Sequence, residues 1–331
     1  MSTAALPRLS ASSRGGSVPL GIILCTRERC RDLEQTLASL AGLAVPTGWR
    51  TDLLVVENGA KGRAEAIVGA FRHPEIEARY RFVPAPGKSA ALNLAVAENK
   101  GEVLLFTDDD VRLPANWVEE MAGPLLRGEG DVTVGGSRLA PDRLRDWMTR
   151  YHRCFLASTE YLDDDAPSEF AGVNVGCHRK VFDLVAGFDP ELGGGGLGNC
   201  EDVLFARQVK QAGFRFVSRT RLCVEHHPAV ERLSYASWRK AAACVGRSQA
   251  YVLRHWEHAA GTLAPLRAAY YHAKLAARLA LHRRRQPQEE GIPAWELSYR
   301  VELAKWSHLV HERRRAPNYA PRGLRRIRPA P

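Results

Sequence analysis

Short apolar runs alternate with segments of helical periodicity through the first third of the chain. The runs at residues 20–26, 53–56 and 103–107 each stop at polar residues, which is typical of strands buried on both faces of a parallel sheet. The first intervening segment has leucines at helical spacing: Leu33, Leu37 and Leu40. A helix over 64–71, a strand over 80–83 and a helix over 88–99 continue the series. The alternation predicts an α/β fold with an open, mostly parallel sheet flanked by helices.

The second half of the chain is less regular. Short strands are predicted at 132–136, 173–177, 214–217 and 222–224. Residues 193–198 contain five glycines, which predicts a loop, and an amphipathic helix follows at 201–212. From residue 234 the pattern is helical and basic, with one stripe formed by Leu266, Tyr270, Ala273, Ala277 and Ala280. The expected organisation is a flexible leader at 1–17, a sheet domain at 18–235, a C-terminal helical extension at 236–315 and a flexible basic tail at 316–331.

Composition and charge narrow the class of protein. Apolar residues make up 45% of the 331, which suits a globular core, and the net charge is +10. Arginine clusters near the C-terminus attract phosphate groups or simply form a solvated surface. The seven cysteines are scattered without a Cys-x-x-Cys pair, which favours a reducing cytoplasm over a disulfide or zinc scaffold. No apolar run reaches the ~20 residues of a membrane span, and the N-terminus lacks the apolar region of a signal peptide.

Three adjacent carboxylates follow the strand that is predicted to be the most buried: Asp108, Asp109 and Asp110. In open α/β sheets, ligands bind outside the carboxyl ends of the strands. Adjacent carboxylates repel one another, and a divalent cation such as Mg²⁺ or Mn²⁺ relieves that repulsion while binding phosphate oxygens. The cluster therefore predicts a phosphate-bearing ligand. The alternative is a solvated acidic turn in front of a helix.

Four segments, taken in order, resemble the inverting family 2 glycosyltransferases, which have the GT-A fold. The segments are residues 22–29, residues 54–59, residues 87–93 with 106–111, and the acceptor-side stretch from Gly187-Phe188-Asp189 through the glycine loop to Glu201-Asp202. The resemblance extends over about residues 18–235, so the sheet domain is expected to be a GT-A glycosyltransferase domain.

The resemblance implies roles for five residues around a nucleotide sugar. Thr26 and Arg27 would line the nucleotide pocket, and Glu57 would contact the base, at a position where the family often has Asp. Lys88 would neutralise phosphate, or would be an ordinary exposed lysine. Asn93 would contribute to the nucleotide-sugar site, or would hold the loop before the carboxylate strand.

The same resemblance implies a metal site. Asp108 would approach the ribose or the metal, and Asp110 would ligate the metal directly, whereas Asp109 occupies the variable middle position and should tolerate change best. His226 or His227 corresponds to a family histidine near the diphosphate, and His226 is favoured as the one beside the metal. A strand-end or surface position is the alternative for this pair.

Asp202 is the expected general base, with Glu201 beside it as a second catalytic carboxylate. The acceptor hydroxyl must lose a proton as it attacks the anomeric carbon, and inversion follows from a single displacement. The alternative is structural, because acidic residues are favoured in the first turn of any helix.

The expected function is therefore metal-assisted transfer of a sugar from a nucleoside-diphosphate sugar, with a UDP-sugar favoured, to a sugar, lipid-linked or small-molecule acceptor. The alternatives are another metal-dependent nucleotide-phosphate enzyme, such as a nucleotidyltransferase, or a basic protein that binds nucleic acid or membrane. Nucleic acid is disfavoured because no aromatic stacking platform is evident.

The helical region at about 235–315 is expected to contact an anionic membrane peripherally, to cap the acceptor site or to form an oligomer contact. The residues on which membrane contact would depend are Tyr270, Tyr271, Leu275 and Leu279. The expected location is the cytoplasm or the inner face of the membrane, and the oligomeric state stays open.

Overall fold

A computed structural model describes residues 18–162, 166–167 and 169–327. The leader expected at 1–17 lies outside these residues. Eight strands form one sheet in this part of the chain, in the order β3-β2-β1-β4-β7-β6-β8-β5. The strands are β1 (Val18–Thr26), β2 (Trp49–Asn58), β3 (Ile76–Val83), β4 (Val103–Asp108), β5 (Val111–Arg112), β6 (Val132–Leu139), β7 (Asn174–His178) and β8 (Phe216–His226).

Helices connect and cover these strands. They are α1 (Cys30–Ala41), α2 (Ala64–Gly69), α3 (Lys88–Glu98), α4 (Trp117–Leu126), α5 (Arg150–Cys154), α6 (Val181–Leu184), α7 (Glu201–Gln211), α8 (Tyr235–His255), α9 (Ala264–Ala280) and α10 (Ala294–Glu312). None of the helices that the structure describes combines the length and the apolarity needed to cross a membrane.

Strands β1 to β4 form a parallel half-sheet with its core on both faces. In β1, the side chains of Leu20, Ile22 and Leu24 pack with α1, α2 and α4, while Ile23 and Cys25 pack with α3 and α7. Burial on both faces explains why the strand is apolar throughout instead of alternating. The sequence therefore predicted these strands correctly, within a few residues at their ends.

Antiparallel pairs interrupt the parallel order in the second half of the sheet. Strand β7 pairs antiparallel with both β4 and β6, whereas β6 pairs parallel with β8. The two strands expected at 214–217 and 222–224 are in fact one strand, β8. Gly135 pairs with Arg219 and Gly136 with Cys223, so residues 220–222 form a bulge. The polar residues around this bulge break the apolar pattern that the sequence shows.

The C-terminal helices share a core with the sheet domain. Leu139 at the end of β6 belongs to the same buried cluster as Trp238 of α8 and Leu297 of α10. Residues 316–327 also pack on the protein, in contrast to the flexible tail expected there. Tyr319 is buried, and Arg326 Nη1 lies 2.6 Å from Oδ1 of the buried Asp189. A buried ion pair of this kind holds the tail against the sheet domain.

Candidate active site

The carboxyl ends of β1, β2 and β4 meet at one edge of the sheet. Cys25 pairs with Asp108 across β1 and β4, and Thr26 pairs with Glu57 across β1 and β2. Because these strands are parallel, their polar ends converge on one surface, where ligands of α/β proteins bind. The structure therefore brings Thr26, Glu57 and the aspartate cluster together.

The three aspartates of the cluster have different surroundings. Asp108 is partly exposed, and its Oδ1 lies 2.8 Å from Nζ of Lys88. Asp109 is fully buried; Thr26 donates a hydrogen bond of 2.6 Å to its Oδ2, and Nη2 of Arg29 lies 2.9 Å from its Oδ1. Asp110 is also buried, between Arg29 and His226. Chain connectivity makes the three carboxylates neighbours, but only Asp108 reaches solvent appreciably.

Burial and neighbouring charges separate the two inner carboxylates chemically. Burial raises the pKa of Asp109 to about 7, and the charge of Arg29 only partly opposes this effect. For Asp110, burial also acts to raise the pKa, but the charge that a protonated His226 carries and the charge of Arg29 outweigh it and lower the pKa overall. Asp110 is therefore the carboxylate that stays ionised at neutral pH.

His226 presents a ring nitrogen to Asp110. Its Nδ1 lies 2.7 Å from the carbonyl oxygen of Leu156, which only accepts, so Nδ1 carries a proton. In the neutral ring Nε2 then has a lone pair, and it lies 3.2 Å from Oδ1 of Asp110. Within the described residues that oxygen accepts no hydrogen bond of acceptable geometry. The two lone pairs repel each other unless the ring carries a second proton or both groups bind a cation.

Asp110 and His226 present atoms that can act as ligands of a divalent cation. A carboxylate oxygen and an imidazole nitrogen whose other nitrogen donates to a backbone carbonyl are a common pair of metal ligands. The described residues include no group of three or more His, Cys, Asp or Glu side chains positioned to hold a metal ion. Further ligands would therefore have to be oxygens of a bound molecule, as is usual for Mg²⁺ at phosphate sites. His227, the other candidate, instead pairs with Glu225 at 2.9 Å.

Lys88 links the aspartate cluster to helix α7. Its Nζ lies 2.8 Å from Asp108 and 3.6 Å from Oε1 of Glu201, and burial raises the pKa of Glu201 to about 7. The backbone nitrogen of Lys88 donates to the carbonyl oxygen of Gly194 at 2.7 Å. Gly195 has φ +95°, and a Cβ atom there would lie 2.8 Å from the nitrogen of Gly87. Gly195 therefore has to lack a side chain so that the loop can lie against the start of α3.

Asp202 is held at the first turn of α7. Its Oδ2 accepts a hydrogen bond of 2.9 Å from the nitrogen of Gly172, and its Oδ1 accepts one of 2.8 Å from the nitrogen of Val203. Cys200, which immediately precedes α7, has a left-handed backbone, φ +69°, which is strained for a residue other than glycine. The two hydrogen bonds fix the orientation of the carboxylate and leave it further acceptor capacity.

The remaining predicted residues occupy different environments. Glu57 is buried and accepts hydrogen bonds from Tyr80 at 2.6 Å and from the nitrogen of Gly62 at 2.9 Å. Arg27 is exposed and lies 3.7 Å from Glu28. Asn93 bonds both backbone groups of Phe188, donating at 2.7 Å and accepting at 2.9 Å. That contact holds α3 to the loop before Asp189, and not to the loop before the carboxylate strand, which was the structural alternative for this residue.

Arg29 is the site residue that the sequence did not single out. It approaches both Asp109 and Asp110, although it lies in a segment with arginines at positions 27, 29 and 31. Nothing in the residue pattern distinguishes one of these arginines from the others. The only available signal is electrostatic, because two buried carboxylates require a positive neighbour.

Part of the chain is similar in sequence to a known protein family. Residues 21–185 match the family model described as Glycosyl transferase family 2. The chain is 33% identical over 104 residues to the succinoglycan biosynthesis protein ExoM of Rhizobium meliloti, and this match covers 31% of the chain and 33% of the relative. It is 29% identical over 151 residues to an N-acetylglucosaminyltransferase of Sinorhizobium fredii, with 45% of the chain and 35% of the relative covered. The chain thus spans about a third of the length of these curated relatives.

Among solved structures, the chain is similar to the mannosyltransferase PcManGT from Pyrobaculum calidifontis, whose structure contains GDP-Man and Mn²⁺. The TM-score is 0.56 at 18% identity, and the likeness covers 88% of this chain and 85% of that one. At this identity the likeness concerns the fold alone. It confirms the GT-A-type α/β fold with helices at the C-terminus that the sequence predicted.

Proposed function

We propose that this chain, whose residues 21–185 match the model described as Glycosyl transferase family 2, is a glycosyltransferase that moves a sugar from a nucleoside diphosphate to an acceptor hydroxyl. One observation carries the proposal. The buried pair of Asp110 and His226, 3.2 Å apart, lies beside the Asp108–Lys88 ion pair at the carboxyl end of the parallel strands. A negatively charged diphosphate needs cationic partners at such an edge, and Lys88 together with a metal ion held by Asp110 and His226 would supply them.

In this proposal, Asp110 and His226 would hold a divalent metal ion, Mg²⁺ or Mn²⁺, which supplies Lewis-acid stabilisation of the leaving diphosphate. Lys88 and Arg29 contribute fixed positive charge at the same place. Each is already paired with a carboxylate, so the aspartates orient these cations before a ligand arrives. Thr26, Arg27 and Glu57 would line the nucleoside end at the termini of β1 and β2.

Asp202 would accept the proton of the attacking hydroxyl. Its two backbone hydrogen bonds, from Gly172 and Val203, hold the carboxylate in one orientation, as a general base requires. Glu201 would affect donor binding through Lys88 instead of acting as the base, because burial raises its pKa to about 7 and Lys88 lies 3.6 Å away. A single displacement with Asp202 as base would invert the anomeric carbon.

The substrates belong to the same proposal. A UDP-sugar is the favoured donor, and GDP-mannose is a second candidate because a protein of the same fold was crystallised with it. The name of one relative supports an acceptor used in polysaccharide biosynthesis. A lipid-linked saccharide, a free sugar and a small molecule remain the acceptor classes to compare.

Binding of nucleotides tests the proposal directly. The thermal midpoint of the protein is measured with UDP, GDP and their common sugar conjugates, with and without Mn²⁺, and nucleotide release is then followed with the stabilising conjugate. The wild type should be stabilised only when the metal is present, and Asp110→Ala should abolish the shift. Asp142→Ala is the matched control, because that aspartate has a side chain 64% exposed. Absence of metal-dependent stabilisation by any nucleotide would contradict the proposal.

A further inference from the structure

Helix α9 lies on the outside of the C-terminal helices and has two faces of different character. Its inner face packs against α10: Leu275 is buried, and the ring of Tyr271 lies 6.3 Å from that of Tyr299. The expectation that Leu275 contributes to a membrane-facing surface is therefore wrong, because that leucine is covered by protein. The opposite face of the helix is exposed.

The outer face of α9 is apolar and exposed. It consists of Leu263, Leu266, Tyr270, Ala273, Ala277 and Leu281, which are called the outer stripe below. The exposed fractions of its large side chains are 55% for Leu263, 70% for Leu266, 56% for Tyr270 and 85% for Leu281. A row of large apolar side chains on one helix face indicates a surface that contacts a partner, whereas single exposed residues do not.

Positive charge surrounds this stripe, although Arg283 is paired with Glu289 at 2.6 Å. Residues 258–288 contain no Asp or Glu, but they include Arg267, Lys274, Arg278, Arg283, Arg284 and Arg285. Three of these cations are held along one side of the helix by aromatic rings of α10. Arg267 lies 4.3 Å from the ring of Trp306, Lys274 4.6 Å from Tyr299 and Arg278 4.5 Å from Trp295. The charged flank is thus ordered before a partner binds.

We propose that the outer stripe and the arginine triplet at 283–285 dock on an anionic lipid surface. An amphipathic helix binds such a surface by inserting apolar side chains at the level of the headgroups while its basic residues contact anionic lipids. Leu263, Leu266 and Leu281 supply the apolar part, and Tyr270 has the ring and hydroxyl typical of the membrane interface. The helix docks by this face and lies in the plane of the interface.

Charge distinguishes this partner from two others. A second copy of the chain placed on the same face would pack two basic flanks against each other, because residues 258–288 contain no Asp or Glu to pair with Arg267, Lys274 and Arg278, and like charges at a closed interface are unfavourable. A nucleic acid would use the cations, but it would leave the exposed leucines in water, since bases stack on aromatic rings. An anionic bilayer satisfies both the leucines and the arginines.

Flotation of the full chain with lipid vesicles tests the inference. Vesicles of phosphatidylcholine alone are compared with vesicles containing ~30% phosphatidylglycerol, at ~0.1 M and ~0.5 M salt. The stripe variant combines Leu266→Ser, Tyr270→Ser and Leu281→Ser, and its control combines Leu144→Ser, Leu184→Ser and Val230→Ser, which are 45%, 44% and 49% exposed. The charge variant changes Arg283, Arg284 and Arg285 to Gln, and its control changes Arg63, Arg127 and Arg215, whose side chains are also exposed.

The wild type should float with the anionic vesicles and lose roughly tenfold in partitioning at the higher salt. The charge variant should lose roughly 30- to 100-fold and the stripe variant about tenfold or more, while both controls retain binding. Thermal melts check that the variants are folded, and the lipid and salt dependence of the wild type tests the idea without any variant.

Absence of flotation at low salt would overturn the inference, and so would equal losses in the charge variant and its control. A concentration-dependent dimer that the stripe variant abolishes, in a protein that ignores lipid, would assign the face to a second copy. If the protein does not bind lipid, and the stripe variant still binds random duplex DNA, the cations would be assigned to nucleic acid. The inference does not depend on the proposed sugar transfer, because flotation needs no nucleotide.

Discussion

Nε2 of His226 lies 3.2 Å from Oδ1 of Asp110, while Nδ1 of the same ring is held by the carbonyl oxygen of Leu156. The pairing of Val111 in β5 with His226 in β8 sets this distance. Two side chains 116 positions apart in the sequence thus act on the same point. The relationship separates His226 from the adjacent His227, although the two have the same chemistry.

His226→Gln should therefore weaken metal-dependent nucleotide binding by about 10- to 100-fold, because one of two protein donors is lost. His227→Gln should leave binding within about twofold, because that ring pairs with Glu225. Calorimetric titration of UDP or GDP in the presence of Mn²⁺ measures both variants. Equal effects of the two substitutions would contradict the assignment.

The middle aspartate leads to a prediction opposite to the tolerance expected from the sequence. Asp109 is fully buried and contacts Thr26 and Arg29, so Asp109→Ala leaves Arg29 without a partner on that side. The free energy of unfolding should fall by about 1–3 kcal/mol in urea denaturation, because the buried Thr26 hydroxyl also loses its acceptor while Arg29 keeps Asp110. Asp109→Asn should cost less, because burial already raises the pKa of this carboxyl to about 7. An alanine variant as stable as the wild type would show that Asp109 is dispensable.

The two carboxylates at the start of α7 should differ in kinetics. Asp202→Asn should lower the rate of sugar transfer by about 10²- to 10⁴-fold and leave nucleotide affinity nearly unchanged, as loss of a general base does. Glu201→Gln should mainly alter affinity for the donor, because Glu201 acts through Lys88. Transfer rates and nucleotide titrations on both variants measure the difference. A larger rate loss in Glu201→Gln would reverse the two roles.

Glu201 should also make stability depend on pH. Burial raises its pKa from 4.5 to about 7, so its ionised form is less favourable in the folded protein than in the unfolded chain. The stability that it contributes is fully present below about pH 4.5 and is lost as the pH rises through about 7. Between pH 5 and pH 8 the wild type should lose up to ~3 kcal/mol relative to Glu201→Gln in urea denaturation. A difference that is constant with pH would exclude this behaviour.

Much of the fold was accessible from the sequence. The strands β1, β2 and β4 are buried on both faces, so their apolar runs, and the polar residues that end them, mark each strand directly. The position of Asp108–Asp110 at the end of a strand follows from the same boundary. Strand β8 was harder, because its bulge at 220–222 interrupts the apolar pattern without ending the strand.

The composition of the candidate site was only partly accessible. The sequence predicted the aspartates, His226, Glu201 and Asp202 as candidate site residues, and it assigned their roles by resemblance. It did not distinguish Arg29 from the arginines beside it, and it left open whether the stripe of α9 contacts a membrane, the acceptor site or another copy of the chain. An apolar stripe at helical spacing has the same appearance whether it meets a core or a partner.

The sequence by itself determined where strands end and which ionisable residues follow them. A strand buried on both faces is apolar along its length, and polar residues begin where the burial ends. Only the tertiary structure decided which of these residues meet. The register between β5 and β8 places His226 at Asp110, and the packing of α9 on α10 turns Leu266 outward. Contacts between distant segments depend on strand pairing and helix packing, which no short stretch of sequence encodes on its own.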